Sequence, residues 1–141
     1  MTEQFKNLPQ LRFMGNKYRL LPWIKDVLEP LEFETVLDAF SGSASVSYLF
    51  KTMGKRGLSN DFLHFPATIS RGIIENSSAR IGPRDWDHMR GPSGDDFIER
   101  TFKDIFYTHE DLRFLDRISH NLKSLNHPAK EALLMSALLR S

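Results

Sequence analysis

Apolar positions along the chain change period at one place. From Thr35 to Phe40 they form a short run, Val36 and Leu37 ahead of Asp38, Ala39 and Phe40, which predicts a strand. A turn of small residues, Ser41 to Ser45, follows. Val46, Leu49, Phe50 and Met53 then recur at helical spacing, predicting a helix over Ser45–Met53 stopped by Gly54. Lys55–Asp61 predicts a second short strand ending in an acid. Strand, small-residue turn, helix and strand make the opening unit of an α/β fold. Upstream, Gly15-Asn16 is a break. After it a helix is expected from about Lys17, with Leu20, Leu21, Ile24, Val27, Leu28 and Leu31 as its stripe, Pro22 in its first turn and Pro30 at its end. Downstream the pattern is helical. Phe65–Arg80 places Phe65, Ile69 and Ile73 on one face. Ile81–Gly94, punctuated by Gly and Pro and carrying Arg84, Trp86 and Arg90, is expected to be a loop. Asp95–Phe106 is expected to turn Ile98, Phe102, Ile105 and Phe106 inward. Thr108-His-Glu-Asp111 has the form of a capping box with Asp for Glu, opening a helix striped by Leu112, Leu115, Ile118, Leu122 and Leu125. Asn126-His-Pro128 starts the last helix. Its Leu133, Leu134, Ala137 and Leu138 run to the chain end with no Gly, Pro or polar tail, as expected of a cut terminus.

Composition narrows the class. The 141 residues suffice for one domain with a core, and 40% hydrophobic with 26% charged residues is ordinary for a globular chain. A net charge of +1 carries no bulk argument for nucleic acid, although Met1–Lys25 is locally basic. Without cysteine there are no disulfides, thiolate metal sites or thiol nucleophiles. The five histidines have no ligand spacing, so no metal is expected. The N-terminus lacks the apolar core of a secretory signal, and no apolar run approaches the ~18 residues of a membrane span. A cytoplasmic protein without membrane contact is the expectation.

The chemistry centres on the turn. Gly42 lets a ligand approach the backbone, and the amides opening the next helix are unpaired donors. Two glycines of a Gly-x-Gly-x-x-Gly fingerprint are absent, and no Gly-x-x-x-x-Gly-Lys-Ser/Thr is present, so pyrophosphate and phosphate cradles are disfavoured. Asp61 lies 19 residues beyond Gly42, close to the ~20 at which dinucleotide folds place a ribose-binding acid. An Asp before an apolar periodic run is equally a helix cap, and the sequence leaves both open. Lys17, just after the Gly15-Asn16 break, is either a carboxylate-binding ammonium or a surface lysine. A ligand with a ribose, no phosphate and a zwitterionic end, such as S-adenosylmethionine, fits this set.

Phe13-Met-Gly-Asn-Lys17-Tyr-Arg-Leu-Leu21, Asp38-Ala-Phe40-Ser-Gly42-Ser-Ala44-Ser-Val46 and Ser59-Asn60-Asp61, in that order, resemble the Dam-type (alpha-group) family of DNA N6-adenine methyltransferases. The resemblance covers nearly the whole chain. It implies an α/β fold: a partial Rossmann-like class I methyltransferase sheet followed by a helical insert. Residues 1–81 would be the S-adenosylmethionine-binding part, and 82–141 the start of the target-recognition insert. It implies cofactor-binding roles for Phe13, Gly15, Lys17, Asp38, Phe40, Gly42 and Asp61. Phe13 and Lys17 would flank the adenine region and methionine end, and Asp61 would take the ribose. Ala44 stands where the family usually has Gly.

The family activates the poorly nucleophilic adenine N6 with an Asp-Pro-Pro-Tyr type motif. All seven prolines here are isolated, so no catalytic residue is assigned. Without the strand that carries that motif, the first strand should expose an edge. DNA, and a complementing chain or second copy on that edge, are therefore the expected partners. The leading reading is the cofactor-binding part of a site-specific DNA adenine methyltransferase, inactive alone. A non-catalytic remnant or partner-dependent subunit is the alternative, and a small-molecule methyltransferase is opposed by the Phe13–Leu21 motif.

Overall fold

The computed structural model describes residues 15–139. It is mixed α/β and mostly helical. Among the described residues there is one sheet of two parallel strands, β1 (Thr35–Asp38) and β2 (Arg56–Ser59), with α2 (Ser45–Thr52) crossing between them. Thr35 pairs with Arg56, Val36 with Gly57, Leu37 with Leu58 and Asp38 with Ser59. Both strands are shorter than the sequence predicts, because the chain turns away at the acids to build the ligand side of the sheet. Two hydrogen bonds prolong the register past the strands, Asn60 N–H to the Asp38 carbonyl at 2.9 Å and Ser41 N–H to the Asn60 carbonyl at 2.9 Å.

One side of the βαβ unit is covered. Leu21 of α1 (Leu21–Leu28) and Leu49 of α2 are fully buried against each other, with Tyr18, Ile24, Val46, Tyr48 and Met53 around them. Each such leucine contributes roughly 1.5–3 kcal/mol by leaving water. The first helix opens as a short 3-10 turn, Tyr18–Leu20, and its stripe is only partly used. Leu20, Val27 and Leu31 are exposed, because α2 is the surface that α1 covers and it spans a narrower face than the six apolar positions offer. The opposite side of the sheet is bare among the described residues: Leu37 is 63% exposed and its register partner Leu58 is 56% exposed. The second edge of β1 has no strand partner among those residues.

After β2, α3 (His64–Ser70) runs into a π-helical segment, Arg71–Glu75. The expected helix over Phe65–Arg80 therefore ends at Glu75, and Phe65 is exposed while Ile69 is buried beside Ala44. The helix stops where Asn76 turns to extended backbone (ψ 125°) and its Oδ1 accepts from Ser78 N–H (3.2 Å) and Ala79 N–H (2.8 Å). The Lys51 ammonium of α2 covers this end, donating to the carbonyls of Ile73 (2.8 Å), Ile74 (2.9 Å) and Asn76 (2.7 Å).

The expected loop over Ile81–Gly94 contains α4 (Pro83–Arg90), which corrects the sequence reading. Pro83 is the first helical residue rather than a breaker. The Asp85 carboxylate accepts from Gly82 N–H at 2.7 Å and from the Lys130 ammonium at 2.8 and 2.9 Å, so a residue 45 positions away fixes this helix. The Lys130 ammonium, and to a smaller extent Gly82 N–H, hold the Asp85 pKa below the ordinary carboxylate value. Helix α5 is short, Phe97–Phe102, and Phe102, Ile105 and Phe106 are exposed rather than inward. Its start is capped by buried Asp116 of α6 (His109–Ser124), which accepts from Ile98 N–H (2.7 Å) and Glu99 N–H (2.8 Å). Thr108 and Asp111 form the expected reciprocal cap, with both backbone bonds at 3.2 Å. Helix α7 (Pro128–Leu138) closes a third core, where Met89, Leu122 and Leu134 meet. It also packs on the π segment, where Gly72 lies against its backbone. No helix among the described residues is long and apolar enough to cross a membrane.

Candidate functional site

The turn between β1 and α2 is built from two left-handed residues. Gly42 has φ +49° and Ala44 has φ +57°. At Ala44, the residue ahead of helix α2, an L side chain sits where glycine is favoured. Its methyl group is buried against Ile69, Ile73 and Ile74, not in the ligand cleft. The methyl group thus lies on the side that faces the core.

Asp61 holds the turn in place. Its Oδ2 accepts from Gly42 N–H at 2.8 Å and its Oδ1 from Leu63 N–H at 3.1 Å. Those two backbone donors, Leu63 first, hold its pKa below the ordinary carboxylate value. Both sequence readings of Asp61 concern its carboxylate, and in the structure that carboxylate ties the turn after β1 to the start of α3. Asn16 clamps the turn from the other side. Its Oδ1 accepts from Tyr18 N–H at 3.0 Å and lies 3.2 Å from the Ser43 hydroxyl. Sequence reasoning assigned Asn16 no role. The visible signal was its place beside Gly15 in a break that must bend toward the sheet.

These ties enclose a cleft of about 360 Å3, within the roughly 300–1,000 Å3 of small-molecule sites. Gly15, Lys17, Asp38, Phe40 and Gly42 all line it. Asp61 stands behind it, one hydrogen bond from Gly42. Phe13 lies outside the described residues. Ser41, Ser43, Ser45, Ile24 and Val46 complete the walls and were not singled out from the sequence. The three serines are buried, and their hydroxyls satisfy one another and their neighbours, with Ser41 3.3 Å from Ser70 and Ser43 3.2 Å from Ser45.

The charges in the cleft are of opposite sign. Asp38 Oδ2 accepts from the Ser47 hydroxyl at 2.5 Å, while Oδ1 has no partner among the described residues. The exposed Lys17 likewise pairs with no acid among those residues. Phe40 is 80% exposed at the rim and offers an aromatic face. The arrangement can hold a zwitterion beside an aromatic ring and offers no nucleophile activated by a base. Among the described residues no cluster of acidic or imidazole groups could hold a metal ion.

The chain is 30% identical over 134 residues to the type II methyltransferase M2.HphI of Haemophilus parahaemolyticus, a match covering 94% of this chain and 40% of that protein. It is 32% identical over 99 residues to the modification methylase LlaI of Lactococcus lactis subsp. lactis, covering 68% of this chain and 14% of the relative. The chain thus spans less than half the length of either relative. No solved structure matches it. The model of the D12 class N6 adenine-specific DNA methyltransferase family matches residues 13–138, which takes in the lysine segment, the β1 turn and every helix described above. Because that match runs through the cleft and on to the end of α7, the chain belongs to the D12 class of N6 adenine-specific DNA methyltransferases.

Proposed function

We propose that this chain is the methyl-donor-binding part of a site-specific DNA adenine N6-methyltransferase, with S-adenosylmethionine as its cofactor. One observation carries the reading: an ammonium and a carboxylate, Lys17 and Asp38, line one cleft at the end of a parallel strand. A ligand with an amino-acid end complements both. The residues present fit the donor: Lys17 takes its carboxylate, Asp38 its ammonium, and Phe40, with Phe13, the adenine region. Asp61 reaches the ribose hydroxyls with the lone pairs its backbone bonds leave over. When bound, the cofactor supplies a methyl group on a cationic sulfur, reactive toward a nitrogen nucleophile.

Activation of the adenine amino group rests on residues outside this sequence, which has no Pro-Pro pair. The β1–α2–β2 unit is read as part of a Rossmann-like sheet whose further strands pair with the open β1 edge. Those strands come from the same polypeptide, a complementing chain or a second copy. DNA is the expected substrate, and residues 82–141 belong with its recognition. The alternative, a non-catalytic or partner-dependent subunit, shares the cleft and differs only in what completes it.

Titration calorimetry with S-adenosylhomocysteine tests the reading. Binding is expected, weakened at least about tenfold by Asp38→Ala or by Lys17→Ala, since each removes a charge-assisted contact. A wild-type chain that binds no S-adenosylhomocysteine at millimolar concentration overturns it. Equal binding by wild type and Asp61→Ala removes Asp61 from the site. Transfer of label from tritiated cofactor into DNA by this chain alone refutes its dependence on outside residues.

A further inference from the structure

Asp38 is held by a hydroxyl relay that the activity does not explain. Ser59, its register partner across the sheet, donates its hydroxyl to Ser47 Oγ at 2.7 Å, and Ser47 donates to Asp38 Oδ2 at 2.5 Å. The proton directions follow from donor count. A serine has one O–H, and an ionised carboxylate only accepts. Ser47 must therefore spend its proton on Asp38, and Ser59 must spend its own on Ser47. The 2.5 Å separation is that of a charge-assisted O–H···O⁻ bond. Ser47 is 2% exposed, so water does not compete for it. The result is a carboxylate tied through one oxygen, on a residue that lines the same cleft as Lys17.

We propose that Ser47, backed by Ser59, is a positioning residue that orients Asp38 so that its second oxygen meets the ammonium of an amino-acid-bearing ligand. This rests on the cleft assigned above. A serine tie that served only to fasten β1 to α2 would have no reason to discriminate between ligands. A positioning tie acts only on ligands that have an ammonium. Ser59 lies one bond further from the cleft and acts by polarising Ser47, so its loss has the smaller effect.

The test compares two probes on the full chain: S-adenosylhomocysteine, which has the amino-acid end, and 5′-methylthioadenosine, which lacks it. Ser47→Ala is expected to weaken the first by roughly tenfold and the second by less than about twofold. Ser59→Ala is expected to weaken the first by about threefold, each loss being what one hydrogen bond is worth. Ser47→Thr, which keeps the hydroxyl, should restore most of the affinity. Equal weakening of both probes, or of neither, overturns the proposal. If circular dichroism finds Ser47→Ala unfolded, the half-buried Ser59→Ala decides by the same selectivity. Wild type binding methylthioadenosine but not S-adenosylhomocysteine overturns the relay alone. Wild type binding neither overturns the cleft assignment with it.

Discussion

At Gly72 the π segment lies directly against the backbone of α7, and replacing it gives a measurable test of that contact. A Cβ built on Gly72 meets the carbonyl carbon and oxygen of Ala132 at 2.9 Å and the nitrogen of Leu133 at 3.0 Å. All three are backbone atoms of α7, so no side chain can rotate aside. Helix α7 is also pinned by the Lys130–Asp85 ion pair and by Leu134 in the third core. Overpacking of this kind costs roughly 1–3 kcal/mol. Against it stands the ~1 kcal/mol by which alanine is favoured over glycine inside a helix. The steric cost should win, because only backbone atoms could yield, leaving Gly72→Ala destabilised by up to about 2 kcal/mol. Urea unfolding followed by circular dichroism would register this as a midpoint lowered by about 1 M, with the slope unchanged, for m near 1–3 kcal/mol/M. Gly57→Ala is the control: it lies in β2, nothing stands within 4 Å of its added Cβ, and it should be neutral or slightly stabilising. A Gly72→Ala protein as stable as wild type would refute the close seating of α7 on the π segment.

Two further outcomes follow from side chains tied to backbone. Lys51→Met keeps the aliphatic stem but strips three carbonyls of their donor, and should cost about 2 kcal/mol in the same unfolding assay; an unchanged midpoint would show that water replaces the ammonium freely. Burial lowers the Lys51 pKa, so part of the gain from the three bonds is offset by desolvation, which keeps the figure modest. Asp61 gives a pH signature. Its folded pKa is lowered by Leu63 and Gly42 N–H, so its stabilisation is complete above the ordinary carboxylate range and lost as pH falls through the lowered value. Asp61→Asn should therefore flatten the acid limb of stability measured between about pH 6 and pH 3; a variant whose acid limb parallels wild type would remove Asp61 from the clamp.

The β1 turn was legible because strand, turn and helix differ in period there, and no distant residue is needed to set that change. Lys17, Asp38 and Phe40 were expected together only through the family resemblance, because the residues alone leave Lys17 open as a surface lysine. What was illegible depends on partners far along the chain. Helix α4 hid behind Gly82-Pro83 and Gly91-Pro92, which read as loop punctuation, while its stability comes from Lys130. The expected helix past Glu75 fails because Asn76 turns the chain, and nothing in the spacing of Ile69 and Ile73 announces the Lys51 ammonium that covers this end from another helix. Apolar periodicity marks a face without saying what covers it. Phe102, Ile105 and Phe106 satisfied the pattern and stayed in solvent, as did Leu37 and Leu58. The serine relay was invisible because two of its members, Ser47 and Ser59, look in sequence like ordinary helix and strand serines.

The π segment Arg71–Glu75 has a consequence for how length changes in this region should be read. A π turn accommodates one more residue than an α turn, so the stretch behaves as a helix carrying an insertion. Deleting one residue there would return the stretch to an ordinary α-helix and leave the faces on either side in register, so that Ile69 could keep its place beside Ala44. Homologues that differ here by a single gap should consequently present the same faces before and after it.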